Sequence, residues 1–349
     1  MRSKRLGVAV IGTGGIGEFH VRLWNETPGA EVVGVFDRDA EVAQQVARQH
    51  GVERVFASLE EAIASPAEAI DICTPNRFHA EGVLAALEAG KHCLCEKPLA
   101  PSAGEIEKLI AARERNGTVL MTAHQLRFEQ RTRTLKRLID AGRLGEVYYT
   151  RAWWLRRRMV PSSPGLLTSE LAVGGPGMDL GVHMLDLAFY LLGHPRPVAV
   201  SGYATRRLAQ RTDSPRVNEW GVYDARLYDV EDFVTGFVRF DDDTVLSLEA
   251  SWLLNMAESE VVSVALHGTE GGIRWPDLEL AHVQDDVLVD ARLASGRGKD
   301  GYAGEMRAFV EAVQRGGPSP VPPEESLVVA RVLDALYASA GQGREVVLG

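Results

Sequence analysis

In its first part the chain alternates short, continuous apolar runs with stretches of helical period. The runs are Leu6 to Ile11, Glu31 to Phe36, Ala69 to Cys73, His92 to Cys95 and Thr118 to Thr122. Helical patterns lie between them, for example Glu81 to Ala89 and Ser102 to Arg115. Strands that are apolar throughout, alternating with helices, predict a parallel sheet covered on both faces. Right-handed crossovers make that sheet doubly wound.

The rhythm then lengthens. After a helical stretch from Gln130 to Ala141 come longer strand candidates: Glu146 to Leu155, Pro197 to Arg206, Asp229 to Phe240, Thr244 to Leu253 and Val261 to His267. Asp241-Asp242-Asp243 has the composition of a hairpin tip. A largely antiparallel sheet is predicted, with one helix-rich insertion near Met178 to Leu192. Two helical patterns close the chain, Gly304 to Gln314 and Glu324 to Ala340, joined by the proline-rich piece Gly316 to Pro323. The predicted domains are 1–125 and 126–349. There is no internal repeat and no long low-complexity segment.

The 349 residues suffice for two domains with cores of their own. A content of 45% hydrophobic and 25% charged residues is ordinary for a globular protein. The net charge of −10 argues against nonspecific nucleic-acid binding. No apolar run approaches the roughly 20 residues needed to span a bilayer, so no membrane association is expected. The basic start Met1-Arg2-Ser3-Lys4-Arg5 has the outline of a signal peptide. The apolar run after it breaks at Gly12 with no cleavage-like site, which a buried first strand explains better. Three cysteines make no disulfide framework, and a cytoplasmic location is the default.

Chemistry gathers at the predicted strand ends. The first run leads into Gly12-Thr13-Gly14-Gly15-Ile16-Gly17, and Asp37 follows Gly17 at a distance of twenty residues. Strand, glycine turn, helix and distant acid together form a dinucleotide-binding fingerprint. Gly12 allows the tight turn, Gly14 lets backbone approach a pyrophosphate, and Gly17 lets helix pack on strand. The helix start at Gly15 and Ile16 offers free N–H groups to phosphate. Asp37 suits the ribose hydroxyls of NAD and repels a 2′-phosphate, whereas the adjacent Arg38 would pair with such a phosphate or stack on adenine. NAD is therefore expected over NADP. Ligands of such sheets bind beyond the carboxyl ends of the strands, which groups Gly12 to Gly17, Asp37, Thr74-Pro75-Asn76 and Glu96-Lys97-Pro98 in space.

Thr74, Pro75 and Asn76, with His79 opening the next helix, read either as contacts to a nicotinamide ribose or as a plain turn. Lys97, next to Glu96, reads as a cation that orients a substrate hydroxyl or as an ordinary surface lysine. A third constellation runs from Gly174 to Asp186. Asp179 and His183 are four apart and share one helical face. A histidine there suits removal of a hydroxyl proton, and the aspartate suits neighbouring hydroxyls or the imidazole. Equally, Asp179 would favour a helix N-terminus and His183 a packing interface. Cys93 and Cys95 alternate on one strand beside His92, but without a second ligand pair they read as buried thiols, and no metal is expected. Trp153 and Trp154 point to opposite sides of a strand, so one alone could meet a sugar ring. Arg156-Arg157-Arg158 opens a long irregular stretch reaching Gly175, and reads as a solvated charge run, a subunit contact, a lid or a site for an acidic group.

With these segments in place, the chain resembles the Gfo/Idh/MocA oxidoreductases over nearly its whole length. The resemblance rests on Gly12 to Gly17, on Cys73-Thr74-Pro75-Asn76 with His79, and on Cys95-Glu96-Lys97-Pro98. Arg127-Phe128 and the Gly174 to Asp186 block complete it. It implies an N-terminal Rossmann domain and a C-terminal α/β domain with a large open, mostly antiparallel sheet that joins homodimers or homotetramers. It implies hydride transfer between NAD(P) and a secondary hydroxyl or ketone of a sugar, glycoside or cyclic polyol. Lys97, Asp179 and His183 match the family's chemical residues, with His183 as the base, Lys97 on the reacting oxygen and Asp179 on a neighbouring hydroxyl. Ala123-His124-Gln125-Leu126 departs from the Asn- and Arg-bearing segment of many members. Two other activities are compatible with the motifs: an NAD-dependent glycosidase or lyase that oxidises sugar transiently, and a non-catalytic nucleotide sensor. The pair of Lys97 and His183 argues against the sensor.

Overall fold

Every residue of strand β1 (Leu6–Ile11) is buried, as a central strand with parallel neighbours on both sides requires. It pairs with β2 (Ala30–Phe36) and β3 (Ala69–Ile72). With β4 (His92–Cys95) and β5 (Leu120–Thr122) they form a parallel sheet of order β2-β1-β3-β4-β5. Helices Gly15–Glu26, Ala40–His50, His79–Glu88 and Ala103–Asn116 lie between successive strands. Local chemistry sets their ends. The Asp39 carboxylate accepts the amides of Glu41 and Val42 at the start of the second helix, and Gly51 ends it in the left-handed region with φ 69°. The strand order reverses between β1 and β3, where the ligand crevice of such sheets opens. The computed structural model describes residues 5–211, 213–294 and 301–349, so the basic start at residues 1–4 lies outside the described residues.

The chain divides into two compact units, Met1–Gln125 with Gly301–Leu327, and Leu126–Asp300 with Val328–Gly349. A single break after residue 125 therefore does not describe it. The helix Gly301–Arg315 belongs to the first unit because its apolar stripe is buried there. Phe309 meets the Trp24 ring edge-on at 6.0 Å, and Tyr302 meets Phe19 at 4.9 Å. Farther on, the Ser326 and Thr122 hydroxyls hydrogen-bond at 2.8 Å. The period of an amphipathic helix shows that it has an apolar stripe, not which core the stripe will cover.

The second unit is built on nine strands: β6 (Val147–Arg156), β7 (Pro197–Thr205), β8 (Phe233–Phe240), β9 (Val245–Ser251), β10 (Glu260–Gly268), β11 (Gly271–Trp275), β12 (Glu279–Gln284), β13 (Val287–Arg292) and β14 (Val346–Val347). Their order is β13-β12-β11-β10-β6-β9-β8-β7-β14, and all pairs are antiparallel except β6 with β9. One face buries Ala152, Val234, Val238, Leu246 and Leu248 in a core shared with the helix Val182–Leu192. The other face carries half-buried Arg151, Trp153 and Phe237. The triple-aspartate tip joins β8 to β9 as expected, with Asp243 at φ 65°.

Two departures from the sequence reading have local causes. Strand β8 starts at Phe233 rather than Asp229, because the aspartates before it hold other segments. Asp229 accepts from the Ser169 hydroxyl at 2.9 Å, and Asp232 accepts the amides of Leu208 and Ala209 at 2.6 and 2.9 Å. Strands β11 to β14 were not foreseen. The hairpin β12–β13 is largely exposed on both faces, so it lacks the apolar alternation that marks a strand. Its two-residue turn Asp285-Asp286 has positive φ at both positions, 51° and 62°, a turn chemistry that aspartate tolerates. Among the described residues no helix is long and apolar enough to cross a membrane.

Candidate active site

The glycine turn has the form its spacing predicts. A Cβ at Gly12 would stand 2.6 Å from the Cys73 carbonyl oxygen, and one at Gly17 would stand 1.9 Å from the Gly12 carbonyl oxygen. Both positions exclude any side chain. At Gly14 and Gly15 an added Cβ would meet nothing within 4 Å, and Gly14, Gly15 and Ile16 are exposed. The backbone at the helix start is thus open to a ligand, with no side chain capping it. The first-turn acid, Glu18, is engaged by Gln49 at 2.7 Å and His50 at 3.2 Å, which tempers its repulsion of an anion. Asp37 is half-buried beside the turn. Its Oδ2 accepts the Thr13 N–H at 2.7 Å and its Oδ1 the Asp39 N–H at 2.9 Å, so the carboxylate is oriented before any ribose arrives. Arg38 is exposed, its guanidinium 5.8 Å from the centre of the Phe78 ring.

The next two strand ends lie alongside. Thr74 carries a buried hydroxyl oxygen with no hydrogen-bond partner, an unsatisfied group that a cofactor hydroxyl would satisfy. Pro75 is exposed and Asn76 opens a short 3₁₀ turn, Asn76–Phe78. These features fit an NAD molecule laid along the strand ends: amides and glycines for the pyrophosphate, Asp37 for the adenosine ribose, Thr74 for the nicotinamide side.

His79 and Glu96, expected among the cofactor contacts, are turned inward. Both nitrogens of His79 lie on backbone carbonyls, Nδ1 2.6 Å from Pro98 O and Nε2 2.7 Å from Thr74 O. His79 ties one strand-end loop to the next, and burial pushes its pKa down. Glu96 is buried, with Oε1 3.1 Å from His20 Nε2 and Oε2 accepting the Lys97 N–H at 3.1 Å. Lys97 itself is half-buried and precedes a cis proline. Cys93 and Cys95 are buried thiols, and burial pushes both pKa values well up. The metal-like grouping lies elsewhere: ligand-type atoms of His20, Asp71 and Cys73 fall within 4.8 Å of one another. Trp24 Nε1 donates to Asp71 Oδ2 at 2.7 Å, the same oxygen that faces His20, so hydrogen bonding accounts for this grouping.

In the second unit the Gly174 to Asp186 block is not one α-helix. Gly177–Gly181 is a π-helical turn that runs into the α-helix Val182–Leu192. Single π turns inside helices recur at functional sites. The wider turn exists because the backbone there is clamped by neighbours. Glu231 accepts the Gly175 N–H at 2.9 Å, the Gly177 N–H at 3.0 Å and the Tyr337 hydroxyl at 2.7 Å. A Cβ would stand 2.2 Å from Glu231 O at Gly175 and 2.3 Å from Tyr337 Oη at Gly177. Burial pushes the Glu231 pKa up against the lowering effect of these hydrogen bonds. Neither Glu231 nor Tyr337 was foreseen, since only the fold brings them to the glycines.

The π turn carries Asp179 half-buried, with Oδ2 accepting Trp252 Nε1–H at 3.0 Å. His183, 7% exposed, lies with its ring centre 5.9 Å from that of Trp154. Of the two indoles on β6, Trp154 is thus the one on the histidine's side of the sheet, and Trp153 stacks with Arg151 on the other at 4.5 Å. Arg156 belongs to β6 rather than to an irregular stretch. Its guanidinium sits 5.1 Å from Trp154 and 4.3 Å from Trp220, and its Nε donates to Glu260 at 2.8 Å. Arg157 and Arg158 line a cavity of about 590 Å³ with Asp213, Glu219 and Asn255.

Comparison with known proteins bears on the fold and the family. Residues 6–124 match the family model described as "Oxidoreductase family, NAD-binding Rossmann fold", and residues 132–274 match the GFO/IDH/MocA C-terminal domain. The chain is 32% identical to D-glucoside 3-dehydrogenase of Escherichia coli K12, covering 100% of this chain and 99% of the relative. It is 30% identical to levoglucosan dehydrogenase of Pseudarthrobacter phenanthrenivorans, over 81% of this chain and 78% of that one. A solved structure of levoglucosan dehydrogenase with NADH and levoglucosan superposes with a TM-score of 0.85 at 26% identity, covering 99% of each chain. The five-stranded NAD-binding domain, the nine-stranded mixed sheet and these matches together show that the chain is an oxidoreductase and belongs to the Gfo/Idh/MocA family.

Proposed function

We propose that the protein is an NAD-dependent dehydrogenase for a secondary hydroxyl of a pyranose sugar, glycoside or cyclic polyol, and that Lys97, Asp179 and His183 carry its chemistry. The observation that carries this reading is the single π turn and following helix that present a half-buried carboxylate, held by Trp252, and a histidine against Trp154. Polar groups set among indoles suit a ring with adjacent hydroxyls, because an apolar alcohol would leave them unpaired. The relatives' names, a glucoside dehydrogenase and a levoglucosan dehydrogenase, point to the same substrate class.

When bound, NAD accepts the hydride, and the protein supplies position and electrostatics. The imidazole of His183 takes the hydroxyl proton as the carbon–hydrogen and oxygen–hydrogen bonds break and the carbonyl forms. The Lys97 ammonium donates to that oxygen and offsets its developing negative charge. Asp179, oriented by Trp252, accepts from the neighbouring hydroxyl and fixes which carbon faces the cofactor. We place the protein in the cytoplasm, as a homodimer or homotetramer joined through the half-buried face of the nine-stranded sheet.

A screen of sugars, glycosides, cyclic polyols, aliphatic alcohols and amino acids, read as absorbance of reduced cofactor, tests the reading. Net NADH formation is expected with the first three classes. Activity confined to aliphatic alcohols or amino acids would overturn it. Cleavage of a glycoside without net NADH would instead establish the transient-oxidation reaction, which the dehydrogenase names of the relatives do not favour.

Asp37 decides the cofactor. Its carboxylate is preset by Thr13 and Asp39, so it meets a ribose without reorganising and repels a 2′-phosphate. Asp37→Ala should weaken NAD binding and narrow the preference over NADP, measured by titrating both cofactors. Tighter NADP binding by the unaltered protein would make Arg38 the dominant partner instead.

A further inference from the structure

A buried chain of ionisable groups runs behind the strand ends of the first unit, and the roles assigned above leave it unused. The ring of His20, on the helix Gly15–Glu26, lies between two carboxylates. Its Nδ1 is 2.9 Å from Asp71 Oδ2, and its Nε2 makes a charge contact of 3.1 Å with Glu96 Oε1. Asp71, on β3, also accepts from Trp24 Nε1 at 2.7 Å and from the Cys73 thiol at 3.6 Å. At the far end, Glu96 Oε2 accepts the backbone N–H of Lys97. His20 and Asp71 are fully buried.

The geometry dictates the charge state. A neutral imidazole that donates Nδ1–H to Asp71 would turn the Nε2 lone pair toward Glu96, whereas an imidazolium keeps that hydrogen bond and sets a positive charge 3.1 Å from Glu96 Oε1. Burial by itself pushes the His20 pKa down, and the charge and hydrogen bond of Asp71 push it back up, above the ordinary value. Burial also holds the Cys73 thiol protonated, so Asp71 supplies the fixed negative charge. Buried charges persist only when paired, and a cation held between two carboxylates has little freedom to turn.

We propose that His20 and Asp71 are positioning residues for Lys97, acting through Glu96: the pair fixes the Glu96 carboxylate, and that carboxylate fixes the backbone from which the lysine side chain projects. The proposal rests on the reading of Lys97 as a chemical group. Without the His20 cation, Asp71 and Glu96 face each other as like charges. Glu96 must then turn away or take a proton, and the Lys97 segment moves with it. Displacement of a reacting group by about 1 Å costs on the order of 10²-fold in rate.

The test compares His20→Gln, Glu96→Gln and Lys97→Ala in the full-length protein. Two readouts are used: kcat with NAD and the best substrate of the screen, and the pH profile of Lys97 acylation by acetic anhydride, followed by mass spectrometry. Both positioning variants should lower kcat on the order of 10²-fold with NAD affinity little changed. They should also shift the Lys97 acylation profile, while exposed Lys108 keeps its own. An unchanged Lys97 profile in Glu96→Gln, which alters no volume, would overturn the proposal, as would unchanged kcat in a folded His20→Gln. If His20→Gln does not fold, Glu96→Gln decides alone. Full turnover in Lys97→Ala would sink the chemical role of Lys97 instead, and the acylation profile would still judge its positioning.

Discussion

Replacing His183 with alanine should lower turnover on the order of 10²-fold or more while leaving NAD affinity nearly unchanged. Oxidation of a secondary alcohol cannot finish unless the hydroxyl proton leaves as the hydride does, and a positioned base contributes about 10²–10⁴-fold. The surroundings of His183 suit the proposed task. The residue follows the π turn directly, it is 7% exposed, and the Trp154 ring lies 5.9 Å away, so the imidazole is shielded from bulk water and limited in its rotamers. Alanine leaves only water as acceptor. Lys97→Ala should lose turnover on a similar scale, because an oriented cation stabilises developing alkoxide charge most strongly in a low-dielectric site. Steady-state turnover across pH, paired with cofactor titration, measures both. Near-normal turnover of His183→Ala across that range would remove it as the base. A matched fall in NAD affinity would place it in the cofactor site.

Arg127→Ala should destabilise the second unit by about 3–5 kcal/mol, the usual loss when one partner of a buried ion pair is removed. Arg127 and Asp186 are 4% and 1% exposed, and they pair through two contacts, Nε to Oδ2 at 2.8 Å and Nη2 to Oδ1 at 2.5 Å. The guanidinium also lies 5.2 Å from the Tyr190 ring. Asp186 follows His183 by three positions on the same helix, so the pair anchors the element that carries the proposed base. Urea unfolding followed by tryptophan fluorescence measures the loss. The double variant Arg127→Met with Asp186→Leu, which removes both charges and keeps bulk, should lose much less. Equal losses in the single and double variants would show that packing, not charge compensation, is what the pair supplies.

The unequal legibility of the two units has a common cause. In the first, each functional signal is local to a strand end, and a parallel sheet forces all strand ends to one edge. Gly12, Asp37, Thr74 and Lys97 are therefore neighbours by topology alone, and residue types at fixed offsets suffice to place them. Steric need makes Gly12 and Gly17 equally legible, because the backbone contacts of 2.6 and 1.9 Å that a Cβ would make hold for any side chain. In the second unit the spacing of Asp179 and His183 marked a shared helical face, but not the π geometry that carries Asp179. That geometry depends on Glu231 and Tyr337, which are distant in sequence and meet the glycines only once the sheet and the last helix are in place.

The sequence by itself determined the NAD-binding domain and the largely antiparallel second sheet, and it singled out the three side chains proposed for the chemistry, since periodicity, glycine sterics and motif spacing are properties of neighbouring residues. It was silent where an element's surroundings decide. The helix Gly301–Arg315 has a clear apolar stripe, yet only packing against Trp24 assigns it to the first unit. Strands β12 and β13 are largely exposed on both faces and show no clear apolar alternation to read. His79 and Glu96 stand within cofactor motifs, but the tertiary structure turns them inward, onto the carbonyls of Thr74 and Pro98 and onto His20. A motif fixes which residue types are present at a strand end; which way a polar side chain faces is settled by where a buried partner waits, because an unpaired polar group in the interior costs more than any local preference gives.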